Sequence, residues 1–224
     1  PSRWFWAGLL VLLGGALLLT FTRSAWLGTM SGLFCWLLIL RRRWLIPLAM
    51  VLIAVFFLLP KSFHRRVLDG FNPSDTTTRT RIELLVTGSR MLADHPLTGV
   101  GPRMVPRLAD EYRSHREFPD WLYQHLHNSP LQIGAEMGVI TLMVWFSIWL
   151  FLLRDYWRMA REGGSPGSPD RMSRYLCYNG MCIVVAFLGA GLLEYNFGDS
   201  ELVTLLMFFV TAPYVHSAGF QAAA

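Results

Sequence analysis

The 224-residue chain has almost no lysine: Lys61 stands alone, and arginine supplies the rest of its 20 basic residues. Charge of any kind is scarce, at 16% against 53% hydrophobic residues, with a mean hydropathy of +0.37. A soluble domain of this length is normally less apolar and more charged, which excludes an ordinary globular enzyme. Cysteine is scarce too. Cys35, Cys177 and Cys182 all fall inside apolar runs, which excludes a disulfide framework and leaves them as small buried residues. The net charge of +5 comes with no basic stripe carrying stacking aromatics, so it is not the footprint of a nucleic-acid binder. No internal repeat or low-complexity run is present.

What the sequence does have is clustered apolar residues. Six windows reach or approach the ~20 residues that carry a helix across a bilayer core: 4–21, 24–40, 44–60, 131–153, 175–193 and 202–217. Such segments must be helical, because lipid cannot satisfy exposed backbone groups. The expected fold is an all-α membrane protein. It has about six transmembrane helices in one domain, 1–224, with one long extracytoplasmic loop, 61–130. The chain starts at Pro1, almost directly with a span, and lacks the n-region and cleavage site of a signal peptide.

Short cytoplasmic loops carry excess arginine and lysine. Arg41-Arg42-Arg43 is one such connection. The stretch 154–174 is another, with Arg154, Arg158, Arg161, Arg171 and Arg174 against Asp155, Glu162 and Asp170. Its glycine, serine and proline residues at 163–169 read as a flexible linker. Alternation then puts the turn at Arg23, the loop 61–130 and the acidic turn 194–201 on the outside. The long loop is nearly balanced, with ten basic and eight acidic residues, and lies beyond the reach of the rule.

A connection of this length is expected to carry function or structure of its own. Residues 80–94 predict an amphipathic helix with Ile82, Leu85, Val86, Ser89, Leu92 and Ala93 on its apolar side. Asp75, Thr76 and Thr77 supply caps, and His95-Pro96 ends it. Residues 97–102 predict a glycine turn, 107–117 a polar helix, and 121–132 a segment running straight into the fourth span.

Four stretches carry the chemistry: Thr22-Arg23-Ser24-Ala25-Trp26-Leu27-Gly28, Thr80-Arg81-Ile82-Glu83, His95-Pro96-Leu97-Thr98-Gly99-Val100-Gly101, and His127-Asn128-Ser129-Pro130-Leu131-Gln132 followed by Gly134-Ala135-Glu136-Met137-Gly138. In this order, around one long outer loop, the set resembles the O-antigen ligase and polymerase superfamily of GT-C-type membrane glycosyltransferases. The resemblance covers about residues 20–145. Whole members have roughly twice as many spans, so it implies that this is the C-terminal half of a longer protein. Ser24, Leu85 and Pro130 depart from residues frequent in the family, which touches packing more than chemistry and blurs the subfamily.

The resemblance implies a donor of the undecaprenyl-diphosphate-linked glycan class, used on the periplasmic face of the bacterial inner membrane. The acceptor would be the lipid A core, another lipid-linked repeat for a polymerase, or a protein. The residues support such chemistry. Arginine is always charged and offers a planar fork of donors to a diphosphate. Arg23 at a bilayer boundary and Arg81 on the loop helix are the candidates, with Arg79 and Arg90 behind them. The plain alternatives are a snorkelling anchor for Arg23 and a solvated helix charge for Arg81. Histidine titrates near neutrality, and His127 is the candidate base for the acceptor hydroxyl. Asn128 is expected to cap the fourth span or to orient His127, Gln132 to serve the same polar cluster, and Glu136 to pair with an arginine. Asp199, Ser200 and Glu201 read as caps of the last span. His125 and His127 could together hold a metal on an extended segment. No carboxylate or cysteine pattern accompanies them, so no metal and no cofactor are expected. Two classes compete: a glycan transporter, which would place charges along several spans and breaks at mid-membrane, and a membrane scaffold that only presents a binding loop, which would need no convergent Arg–Arg–His site.

Overall fold

The computed structural model describes residues 2–58, 61–68, 75–162 and 171–223. Among them every regular element is helical, and each expected apolar window lies on a helix. These are α1 (Arg3–Leu19), α2 (Arg23–Leu40), α3 (Leu45–Leu58), α4 (Lys61–Leu68), α5 (Thr76–Asp94), α6 (Val105–Tyr112), α7 (Ser129–Glu162), α8 (Arg171–Gly191) and α9 (Ser200–Ala223). By length and composition α2, α7 and α8 can cross a membrane, and α1 is a shorter apolar helix of the same kind. The expected linker at 163–169 lies outside the described residues.

Helices α2 and α8 pack antiparallel through small residues, as helices in lipid do when backbones approach closely. A Cβ on Gly28 would stand 2.8 Å from the Ala186 carbonyl oxygen and 2.9 Å from the Ala190 Cβ. One on Gly32 would stand 2.9 Å from the Ala186 Cβ and 3.0 Å from the Cys182 carbonyl oxygen. Carried one turn further, this register brings Arg23 to the level of the turn 192–196 that follows α8.

Two cores share α7. Loop residues Leu84, Met91, Val105, Ala109, Leu122, Tyr123 and Leu126 pack with Ala135 from its first turns. Ile133, Trp145 and Trp149 pack with Val184 of α8 and Leu206 and Val210 of α9. After Ile133 and Ala135, α7 breaks at Gly138, where φ is 81° and ψ is 172°. The backbone groups freed there are taken by the glycine turn. Val100 N–H donates to the Ala135 carbonyl (2.8 Å), Gly101 N–H to that of Glu136 (2.9 Å), and Val139 N–H to that of Pro96 (2.7 Å). This is how a broken helix avoids orphaned buried groups. Glycine is required on both sides. A Cβ would stand 2.1 Å from the Leu97 carbonyl oxygen at Gly138, and 2.3 Å from the Glu136 backbone at Gly99, where φ is 66°.

The loop departs from expectation in three places. Helix α5 starts at Thr76, with Asp75 accepting the Thr78 N–H at 3.1 Å, and ends at His95 as predicted. Its buried face, however, is Glu83, Leu84, Thr87, Gly88 and Met91, while Ile82 and Leu85 are exposed. Side-chain hydropathy misses this face because a glycine and a carboxylate define it. Gly88 lets Leu126 and Leu131 approach. Buried Glu83 accepts through Oε1 from Ser114 N–H (2.6 Å), His115 N–H (3.4 Å), Tyr123 O–H (3.2 Å) and Thr87 O–H (3.3 Å), which offsets the cost of taking a carboxylate out of water. Burial and that carboxylate push the Tyr123 hydroxyl up to about 12. The polar helix expected at 107–117 is α6, which starts two residues earlier at Val105, beside Pro106, and stops at Tyr112. Residues 121–132 do not run straight into the span. A single tight turn, Asp120–Gln124, is followed by extended backbone at His125 before α7 begins.

Candidate active site

The short segment between that turn and α7 has an uncommon backbone. His127 adopts φ 48°, the left-handed region, which a non-glycine residue holds only where its surroundings impose it, at a cost of about 1–3 kcal/mol. The surroundings are visible. Buried Gln132 Oε1 accepts the Leu126 N–H at 2.7 Å. Asn128 caps α7, its Oδ1 accepting the Leu131 N–H at 2.8 Å, and its Nδ2 donates to the Leu192 carbonyl at 3.0 Å. Buried Ser129 places its hydroxyl 2.7 Å from Asn196 Oδ1 and 3.1 Å from the Glu194 carbonyl oxygen.

The same turn after α8 supplies a charge. His127 Nδ1 lies 2.9 Å from Glu194 Oε1, and His125 Nδ1 lies 3.9 Å from that oxygen. The two imidazole rings meet edge to face at 4.2 Å. Burial pushes the His125 imidazole down, the charge of His127 adds to that, and Glu194 opposes it. For Glu194, burial pushes the carboxyl up. The hydrogen bond and charge of His127, the Tyr195 N–H and the charge of His125 outweigh burial and hold it below its usual range. Sequence reasoning missed Glu194. It lies 67 residues from His127, and its only signal was membership of an acidic turn assigned to the same side of the membrane.

Ligand atoms of His125, His127 and Glu194 all lie within 4.8 Å of one another. The carboxylate that the sequence did not offer a metal is therefore present. A two-histidine, one-carboxylate set can hold zinc with an open position. Within this set, His127 Nδ1 and Glu194 Oε1 at 2.9 Å are also at hydrogen-bond distance.

The candidate arginines lie on α2 and α5. Arg23 opens α2, half-buried and engaged, beside buried Ser24 and level with the 192–196 turn. Arg81 is half-buried and engaged. It shares a face of α5 with Gly88, the contact of Leu126 and Leu131, about 10 Å further along the helix. Arg79 pairs with Glu117 at 2.8 Å and Arg90 donates to the Tyr112 carbonyl at 2.9 Å, so both tie the loop together. Buried Glu136 acts on a tyrosine: burial first, then the Glu136 charge, raise the Tyr195 hydroxyl, and Arg103 opposes them. Asp199 caps α9, accepting the Glu201 N–H at 3.2 Å. A cavity of about 650 Å³ between α7 and α9 is lined by Trp149, Phe151, Phe197 and Met207, and by Arg154 and Asp155.

A family model described as O-antigen ligase matches residues 8–146, a stretch that holds Arg23, Arg81, His127, Asn128, Gln132 and Glu136 and ends before Glu194. No curated protein matches the chain.

Proposed function

The chain belongs to the O-antigen ligase family, and on that premise we propose that it acts as an inverting, metal-independent glycosyltransferase. The donor is a glycan on undecaprenyl diphosphate, and the acceptor is a hydroxyl of the lipid A core. In this reading α1, α2, α3, α7, α8 and α9 are the six spans, in the bacterial inner membrane. The site faces the periplasm, since Arg41, Arg42, Arg43, Arg154, Arg158, Arg161, Arg171 and Arg174 belong to the opposite side by the positive-inside rule. Arg23 and Arg81 hold the diphosphate and stabilise the charge that develops on it as it leaves. His127 removes the acceptor proton. Asn128 and Gln132 keep the His127 segment in place, and Glu136 lies at the edge of the donor site.

The observation that carries this reading is His127 itself. It is held in a left-handed backbone, with Nδ1 bonded and Nε2 without a partner among the described residues, in a segment that the family model covers. The break at Gly138 does not favour a transporter. It lies near the outer end of α7, and the loop takes up its backbone groups.

The test uses the full-length protein in proteoliposomes with labelled lipid-linked glycan, offered lipid A core, a second lipid-linked repeat, or protein. Label on lipid A core is expected; label on another acceptor alone would make this a polymerase or a protein glycosyltransferase. His127→Ala should lower transfer by roughly 10²–10⁴-fold, the share a general base supplies, with donor binding retained. Arg23→Ala should instead weaken donor binding about tenfold or more, the loss of one charge-assisted contact. Unchanged affinity would leave Arg23 as a membrane anchor.

A further inference from the structure

We infer that Glu194 is a positioning residue for transfer, and that the turn 192–196 after α8 is part of the active site. This rests on the reading of His127 as the base. Three consecutive residues, His127, Asn128 and Ser129, each reach across to that turn. They contact the Glu194 carboxylate at 2.9 Å, the Leu192 carbonyl at 3.0 Å and the Glu194 carbonyl at 3.1 Å. Gly191 allows the approach, since a Cβ there would stand 2.9 Å from Asn196 Oδ1 and 3.2 Å from Ser129 Oγ. The turn is itself anchored, because Asn196 Nδ2 donates to the Phe187 carbonyl at 2.7 Å and Tyr195 N–H donates to Glu194 Oε1 at 3.2 Å. A clasp of this kind fixes position and tautomer together. With Nδ1–H donated to the carboxylate, the lone pair of His127 sits on Nε2.

The chemistry then balances. The acceptor hydroxyl gives its proton to His127 Nε2, and its oxygen forms the new bond to the anomeric carbon. The bond from that carbon to the diphosphate oxygen breaks, and its electron pair leaves with the lipid diphosphate. The positive charge created on the imidazole lies against Glu194, a carboxylate already ionised at neutral pH. Glu194 positions the ring beforehand and interacts more strongly once the proton has moved; neither effect touches substrate, so its contribution belongs to turnover and not to substrate binding.

The experiment is steady-state transfer by the full-length protein in proteoliposomes, with labelled undecaprenyl-diphosphate-linked glycan and lipid A core. Glu194→Gln keeps an acceptor and removes the charge. It should lower kcat about 10- to 100-fold, a part of what the base supplies, with KM for both substrates within about twofold. The same change in a His127→Ala background should add no further loss, because it acts through the missing ring. Wild-type kcat in Glu194→Gln, or an equal loss in both backgrounds, overturns the inference. Should Glu194→Gln fail to fold, Glu194→Asp keeps the charge and withdraws it by one carbon. Lower kcat at unchanged KM supports the role, and raised KM at unchanged kcat overturns it. If His127→Ala stays active, the base reading has failed. If His127→Ala is inactive and Glu194→Gln is normal, only this inference has.

Discussion

His125 and His127 share one carboxylate unequally: Glu194 Oε1 stands 2.9 Å from one ring and 3.9 Å from the other. His125 is the ring left to burial, and its Nδ1 finds no hydrogen-bond partner among the described residues. Its imidazole is held below 6.5 in the fold, mainly by burial and then by the charge of His127. The unfolded chain therefore binds a proton near pH 6.5 that the folded chain resists. Stability from neutral His125 is complete above that pH and falls as pH drops from 6.5 toward the folded value. Glu194 has the same sign in a lower window. Its depressed carboxyl contributes above about 4.3, the usual glutamate value, and the contribution is lost as pH falls through the folded one. Acidification from about pH 7.5 to 5.5 should thus lower the amide protection factors (exchange corrected for its intrinsic pH dependence) at 125–129 and 192–196, and His125→Gln should blunt that change. Protection factors at these segments that are equal at both pH values would count against a buried neutral His125.

At the scale of elements, the joint between loop and span is the Gly138 break with the Pro96–Gly101 turn laid across it. Its φ and ψ of 81° and 172° lie in a region that only glycine occupies readily. Gly138→Ala should cost about 1–3 kcal/mol in backbone strain alone, and its Cβ would also run into the Leu97 carbonyl. A lower melting temperature in detergent, with faster exchange at Val100, Gly101 and Val139, is the expected reading; a melting temperature equal to wild type would mean that the clasp is dispensable. The sequence was informative about elements and poor about faces. Apolar windows, Asp75 and His95-Pro96 marked helices and ends, because length, caps and proline act locally. The buried face of α5 was misread, because Glu83 becomes buried only through donors at 114, 115 and 123, and Gly88 only through Leu126 and Leu131. Glycines at 99, 101 and 138 were legible as a turn and a motif. Their mutual clasp was not, since no local pattern says which carbonyls a broken helix leaves free. His127 was legible by residue type and setting. Glu194 was not, because a contact across 67 residues leaves no spacing to read.

The whole molecule places this cluster where its loop core meets the core shared by α7, α8 and α9. Loop residues pack on the first turns of α7, membrane-type residues pack on the rest, and the turn after α8 closes against Ser129 between them. The antiparallel seam of α2 and α8 fixes the helix that carries Arg23 against the helix that leads into the turn of Glu194. That seam depends on bare backbone at Gly28, where even a Cβ would meet the Ala186 carbonyl oxygen at 2.8 Å. A larger side chain there must separate the helices while leaving the contacts of α5 with α6 and α7 alone. Gly28→Val should therefore destabilise the bundle by about 1–3 kcal/mol, the usual cost of overpacking. It should also reduce transfer far more than that stability loss explains, because it moves Arg23 relative to His127, the proposed base. Amide exchange in α5 should stay slow in the same protein. Preserved exchange in the loop core with lost transfer would show that the two cores are separable and that catalysis needs their alignment. Full activity in Gly28→Val would mean that the distance between Arg23 and the His127–Glu194 pair is not set by this seam.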